Sequence, residues 1–318
     1  MIQLFHINNH TIDTSEFSNL LHDDVVIQFE KKIAEYVGAK YACAVNSATN
    51  AIFLIMKMEE YLKPRTIRIP SIIPPVVANA IIMSGNEVEF KDNVKWIGDS
   101  YILHKFRAFK VVDSAQKLEK NQFKKECNSD DVMIFSHYPT KPLGGADGGV
   151  IVTDDYNKYR WMKEAVLNGT TFADNNWERG ISFPGYKMYM SSIQAKILMN
   201  NFETFDKKMK VLGKLVDIYN REFGYENTSK HLYRIEVLDN EKFVQNMKNA
   251  GIVCGIHYPA LHKNPIYNTS VKDLTDGDLQ ILLPKSEKLD KRTVSLPMNE
   301  TLSLIEIEYI VDRVKENM

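Results

Sequence analysis

The sequence predicts an α/β protein with a mostly parallel central sheet, followed by a smaller C-terminal α+β domain. Three observations carry this. Apolar runs of strand length alternate with segments of helical spacing from about residue 25 to residue 190. Ser47, Asp113, Ser136 and Lys141 all stand at or just after the ends of such runs, where α/β sheets place their ligand-binding residues. Beyond residue 223 the order of apolar and polar residues changes, so the chain divides into a large domain, 1–223, and a small one, 224–318.

Taken in order, residues 1–22 read as an irregular arm. Val25–Val37 has helical spacing: Val26, Phe29, Ile33 and Tyr36 share a face, Asp23 and Asp24 start the helix, and Gly38 stops it. Tyr41–Val45 is a short buried strand. It runs through Asn46, Ser47, Ala48 and Thr49 into an apolar helix, Asn50–Met58. A strand that passes through small hydroxyl residues into a helix N-terminus suits a phosphate, since backbone N–H groups and the helix dipole both favour an anion there. A plain Ser/Thr cap accounts for the same residues.

Thr66–Ile69 and Glu87–Phe90 are strands flanking a helix at Val76–Met83, with Pro70, Pro74 and Pro75 marking the turn. Lys105–Val112 leads one strand into Asp113, Val132–Phe135 leads another toward Lys141, and Gly149–Thr153 returns beside it. A polar helix follows to about Leu167, then a long loop, Asn168–Tyr186, of the kind that is usually functional or interfacial. Met190–Phe223 is a long connecting helix with a bend expected near Gly213. In the small domain, Tyr233–Leu238 and Ile252–His257 read as strands, and Glu241–Ala250 and Ser303–Lys315 as helices.

The totals fit an ordinary globular chain. Forty basic and 41 acidic residues nearly cancel, which argues against nucleic-acid binding by the surface as a whole. No apolar stretch approaches membrane-spanning length, and the N-terminus lacks the pattern of a signal peptide. The three cysteines are widely spaced and read as reduced thiols of a cytoplasmic protein. Cys254, His257 and His262 are interrupted by Pro259 and lack a fourth ligand at zinc spacing, so no metal site is expected. Trp96, Trp161 and Trp177 read as structural, although Trp177 falls in the long loop.

The chemistry concentrates in FSHYPTKPLGGADGG (135–149) and VVDSAQ (111–116). A lysine after one strand and an aspartate ending another is the pairing that pyridoxal phosphate chemistry requires. The lysine condenses with the cofactor aldehyde, and the carboxylate keeps the pyridine nitrogen protonated so that the ring accepts electrons.

These segments, with QFEKKIAEYVGAKYACAVNSATNAI, IRIPSIIPPVVANAI, GYKMYMSSIQAKIL, GIHYPALH and LPKSEKLDKRTVSLP, occur in the order typical of one family. The chain resembles the pyridoxal-phosphate-dependent nucleotide-sugar aminotransferases of the DegT/StrS type. That resemblance implies the type I aminotransferase fold, and transfer of an amino group from an amino acid such as glutamate to a nucleotide-linked keto-sugar. It implies a homodimer with active sites at the subunit interface. It makes Lys141 the cofactor lysine and proton carrier, and Asp113 the partner of the pyridine nitrogen. Gln116 is implied near the cofactor phenolic oxygen, and Ser47, Ala48, Thr49 and Ser136 around its phosphate. Lys187 and the long loop are implied to face the neighbouring subunit's cofactor, and His257 and Tyr258 to line the substrate mouth.

The sequence departs from that pattern in places. Where the family carries an aromatic residue that stacks on the cofactor, this chain has Ile72-Ile73-Pro74-Pro75. Lys187 stands where the family has a phosphate-binding Asn, and Tyr189 where it has a nucleotide-contacting Arg. The segment from Phe90 to Val111 is short enough for one strand–helix unit to be missing. Two other functions stay open: a sugar dehydratase, whose relatives carry His in place of the lysine, and a non-catalytic partner or sensor built on the same fold.

Overall fold

The structure is a computed structural model that describes residues 1–59, 64–171, 173, 176–267 and 283–318. Parts of the expected long loop, at residues 172, 174 and 175, lie outside the described residues. In chain order the elements begin with α1 (Asp24–Val37), β1 (Tyr41–Val45), α2 (Ala48–Met58), β2 (Thr66–Pro70), α3 (Pro75–Met83) and β3 (Glu87–Lys91). Next come β4 (Tyr101–Lys105), β5 (Lys110–Asp113), α4 (Gln122–Glu126), β6 (Val132–Ser136), β7 (Gly149–Thr153), α5 (Tyr156–Val166) and α6 (Ser192–Phe223). The chain closes with β8 (Tyr233–Glu236), α7 (Asn240–Asn249), α8 (Pro284–Arg292), β9 (Thr293–Leu296) and α9 (Leu304–Asn317).

These elements form two compact units that are interleaved in sequence. One comprises Ile7–Pro64 and Ser100–Phe205; the other comprises Met1–His6, Arg65–Asp99 and Asp206–Met318.

The first unit holds a five-stranded sheet in the order β1-β7-β6-β5-β4. It is mostly antiparallel, not mostly parallel as the alternating pattern suggests. Of its four pairings, only β5 with β6 is parallel. The connections explain this. A parallel neighbour needs a crossover, usually through a helix. The β6–β7 link is the lysine stretch, which contains no helix, so β7 returns beside β6 in the opposite sense. Similarly, the expected single strand over 105–112 is two strands. The chain turns between Phe106 and Phe109, whose backbones share a 2.8 Å hydrogen bond, and β4 pairs back onto β5. Between β3 and β5 the described chain carries β4 and no helix, so the short segment does contain a strand.

Helices α1, α2 and α5 pack on this sheet. Helix α1 forms where its signals lie. Asp23 accepts from the Val25 N–H, Gly38 closes the end at φ +78°, and Val25, Phe29, Ile33 and Val37 are buried.

The second unit pairs β2 with β3 in parallel and β8 with β9 antiparallel. Its core gathers Tyr219 from α6, Tyr233 and Ile235 from β8, Met247 from α7, Val294 and Leu296 from β9 and Ile310 from α9. Helix α9 starts with a reciprocal capping box between Ser303 and Glu306. Ile252–His257 is not a strand. It makes only single-residue bridges among the described residues, Ile2 with Ile252 and Gly255 with Ser295. Helix α6 is continuous through Gly213.

Candidate active site

The lysine stretch is a turn tied down from several directions. His137 anchors it: its N–H donates to the Gly148 carbonyl at 2.9 Å, its carbonyl accepts from the Gly145 N–H at 2.9 Å, and its Nδ1 lies 2.8 Å from the Leu143 carbonyl. His137 is fully buried, and burial pushes its imidazole down to about 4, so the ring is neutral and Nδ1 is the donor to that carbonyl. Asn201 on α6 donates to the Gly144 carbonyl at 2.7 Å. Gln194, also on α6, reaches both the Asn46 carbonyl (3.2 Å) and the Ala146 carbonyl (3.4 Å), joining the end of β1 to the lysine turn. The turn is therefore held rigidly, as a site requires.

Lys141 rides on this turn, its N–H bonded to the Tyr138 carbonyl at 2.8 Å. Burial pushes its amine down to about 8, against the opposing charge of Asp113. Asp113 ends β5 and is buried. Its Oδ1 accepts from the Ala115 N–H at 2.9 Å, and its Oδ2 accepts from the Tyr101 hydroxyl at 2.9 Å. Burial raises its carboxyl, while those two donors and Lys141 pull it back. Each carries a charge that acts on the other: Lys141 lowers the Asp113 carboxyl, and Asp113 raises the Lys141 amine. The two thus form an electrostatic pair, Asp113 ending β5 and Lys141 in the turn that leaves the adjacent strand β6.

The same sheet carries the start of α2, where unpaired helix N–H groups favour an anion. Ser47 caps α2, accepting from the Asn50 N–H at 3.2 Å. Ala48 and Thr49 supply the first N–H groups of that helix, which have no partner in the helix itself. Gly149 begins β7 against this turn, and a Cβ there would lie 2.6 Å from the Ala48 nitrogen. Only glycine permits that approach. Since Ser136 is the register partner of Gly149, the approach also brings Ser136 beside the helix N-terminus. Gln116 is buried in the turn that follows Asp113.

Two further candidates lie in the same unit, on the segment that runs beside the end of β1. Lys187 is exposed, in a bridge with Leu167, and its charge acts on His22 rather than on Lys141 or Asp113. Tyr189 bridges Val45 through its backbone and sets its ring 4.4 Å from that of His22. Both His22 and Tyr189 line a cavity of about 370 Å³ whose wall includes the Glu30–Lys163 ion pair.

His257 and Tyr258 belong to the other unit. His257 Nδ1 lies 2.9 Å from Ser295 Oγ, and Tyr258 lies parallel to Trp96 with centroids 6.4 Å apart. Ile72 and Ile73 are buried there, and Pro75 opens α3.

Sequence reasoning missed Tyr101, His137, Gln194 and Asn201. Tyr101 lay in a segment with no strand reading. His137 had a signal, since it sits between Ser136 and Lys141, but nothing in a linear sequence says where a ring points. Among the described residues no group of acidic, His or Cys side chains is arranged to hold a metal ion, and no helix is long and apolar enough to cross a membrane. Cys43 and Cys254 are buried and Cys127 is partly so; burial pushes all three thiols up to about 12, which makes them poor nucleophiles.

Known proteins resemble this chain along nearly its whole length. The model of the DegT/DnrJ/EryC1/StrS aminotransferase family matches residues 7–96 and 104–315. A UDP-4-amino-4,6-dideoxy-N-acetyl-beta-L-altrosamine transaminase of Campylobacter jejuni is 22% identical, over 98% of this chain and 96% of its own. The spore coat polysaccharide biosynthesis protein SpsC of Bacillus subtilis is 24% identical, over 96% of this chain and 92% of its own. Among solved structures, the sugar aminotransferase CalS13 of Micromonospora echinospora has the same fold, with a TM-score of 0.80 at 15% identity over 100% of both chains. Helicobacter pylori PseC, an aminotransferase involved in the biosynthesis of pseudoaminic acid, aligns with a TM-score of 0.76 at 19% identity, over 96% of this chain and 94% of its own.

Proposed function

This chain belongs to the DegT/DnrJ/EryC1/StrS aminotransferase family, and from that premise we propose that it transfers an amino group from an amino acid to a nucleotide-linked keto-sugar, with pyridoxal phosphate as cofactor. The observation that carries the reading is the pairing of charge between Asp113, at the end of β5, and Lys141, in the tied turn that follows the adjacent strand β6. The names of the relatives support the acceptor class, since the Campylobacter jejuni relative is a transaminase of a UDP-linked sugar.

The residues fit the cofactor. Gly149 puts no side chain against the Ala48 N–H at the α2 start, where a helix favours a phosphate, and Asp113 is a buried carboxylate already held by two donors. When bound, pyridoxal phosphate supplies an electron sink for the substrate carbon. Ser47, Ala48, Thr49 and Ser136 would hold the phosphate. Asp113 would keep a proton on the ring nitrogen, and Gln116 would bond near the phenolic oxygen. Lys141 does the rest. Depressed to about 8, its amine has a sizeable neutral fraction near neutral pH. It can therefore attack a carbonyl, and once released it can take the donor's Cα proton and return it.

By the same reading glutamate is the donor and the enzyme is a cytoplasmic homodimer. Lys187 then faces the neighbouring subunit's phosphate as a point charge, and Tyr189, His257 and Tyr258 contact substrate.

The test is spectroscopic. Purified protein incubated with pyridoxal phosphate and desalted should keep a visible absorption band, and borohydride should fix the cofactor covalently at Lys141. Glutamate and a UDP-keto-sugar should then give amino-sugar and 2-oxoglutarate. A folded protein that retains no band, or a product lacking oxygen without gaining nitrogen, overturns the proposal.

A further inference from the structure

The β8–β9 ribbon has two unlike faces. Tyr233 and Ile235 on β8, with Val294 and Leu296 on β9, point into the hydrophobic core. Alternation puts Arg234 on the opposite face, directly across from Ser295. Ser295 is the residue whose Oγ meets His257 Nδ1 at 2.9 Å, and its backbone exchanges hydrogen bonds with Gly255. Arg234, Ser295 and His257 therefore share one face.

Arg234 is half-buried there, and no carboxylate among the described residues pairs with it. Its one side-chain hydrogen bond is long, 3.5 Å from Nη2 to the Ile97 carbonyl. Glu236, two residues on along the same face, is 2.8 Å from Lys288 instead. Burial pushes the guanidinium down to about 10, and the Tyr258 phenol offsets part of that. Tyr258 itself lies parallel to Trp96. A guanidinium fork with five donors, partly removed from water and bonded by one long contact, keeps donors that suit an oxyanion.

We propose that Arg234, with Ser295, His257 and Tyr258 around it, is an oxyanion-recognition site of this unit. The proposal rests on the aminotransferase reading for its choice of ligands: the carboxylate of the amino donor or the diphosphate of the nucleotide-sugar. Both are planar or near-planar oxygen pairs that a guanidinium binds through two bonds.

Calorimetric titration of the full chain separates the two. UDP carries the diphosphate without the sugar, and glutarate carries the donor's carboxylates without its amine. Neither titration needs turnover, so the outcome is independent of whether borohydride fixes the cofactor at Lys141. Arg234→Gln should weaken one of the two ligands by about tenfold or more, the loss expected for a charge-assisted bidentate contact. Arg234→Lys should recover part of that affinity, as a point charge in place of a fork. Loss confined to UDP assigns the site to the diphosphate, and loss confined to glutarate assigns it to the donor. Thermal melts of both variants show whether they fold, and the Lys variant carries the test alone if the Gln variant does not. Wild-type protein that binds neither ligand, or variants that bind both as tightly as wild type, overturn the proposal.

Discussion

Two lysines in one unit, Lys141 and Lys163, are shifted in opposite directions. Burial pulls both amines down. At Lys163 the Glu30 carboxylate wins: both of its oxygens lie 2.8 Å from Nζ, and the amine is held well above the usual lysine range. Glu30 is in turn bonded to the Ala44 N–H at 2.8 Å, so the pair ties α1 and α5 to β1. At Lys141 the nearby acid is Asp113, but its oxygens are engaged by Tyr101 and Ala115, and no ion pair with Lys141 forms among the described residues. Desolvation therefore dominates, and the amine drops to about 8. A carboxylate that grips a lysine builds structure. One held back from it leaves the amine reactive.

The largest expected effect breaks the reactive half of this comparison. Lys141→Ala should lower transamination by roughly 10²–10⁴-fold or more, the range for a lost acid/base group, with no loss of melting temperature. Steady-state rates and thermal melts check it. Near-normal turnover would mean that the depressed amine has no chemical role.

Lys163→Met breaks the structural half. It leaves Glu30, which is 7% exposed, with only the Ala44 N–H. Removing one partner of a fully buried pair costs about 3–5 kcal/mol. The Lys163 side chain is 35% exposed, so solvent screening reduces the expectation to about 1–3 kcal/mol. Urea denaturation measures it, and cofactor capture at Lys141 should persist in the folded variant.

The pH dependence sharpens the contrast. Only the neutral amine captures the cofactor, so the capture rate should rise with pH, reach half its maximum near 8 and level off above that. At pH 7 it should be about tenfold below the plateau, as one unit of pKa difference requires. An amine gripped as Lys163 is would show no plateau there. The same shift has a stability consequence. Between about 8 and the ordinary 10.5 the unfolded chain binds the proton that the folded chain has released, so stability contributed by this group rises with pH across that window.

The smallest effect comes from loosening the hold on Asp113. Tyr101→Phe removes the 2.9 Å hydrogen bond to Oδ2. It should raise the Asp113 carboxyl further and weaken cofactor binding by a few-fold, about 1 kcal/mol. Titration of the apoprotein with pyridoxal phosphate measures it. Unchanged affinity would show that Ala115 alone holds the carboxylate.

Much of this was legible in the residues. Strand and helix positions from α1 to β3 follow from apolar period, caps and prolines, which act within a few residues of one another. Lys141, Asp113 and Ser47 stood out because strand ends are visible in sequence. Strand direction was not legible. An apolar run reads the same either way, and only the absence of a helix between Ser136 and Gly149 makes β7 antiparallel. Ile252–His257 misled because β-branched residues suit a strand whether or not a neighbour is available to pair along its length.

The sequence by itself determined the family, the lysine and aspartate, and the helix start beside Ser47, because each is written in residue identity and short spacing. Tertiary structure decided what those residues are chemically. Whether a partly buried lysine sits at 8 or is held above its usual range depends on a carboxylate far away in sequence and on which donors already occupy it. Burial and long-range hydrogen bonding set those terms, and no local pattern encodes them.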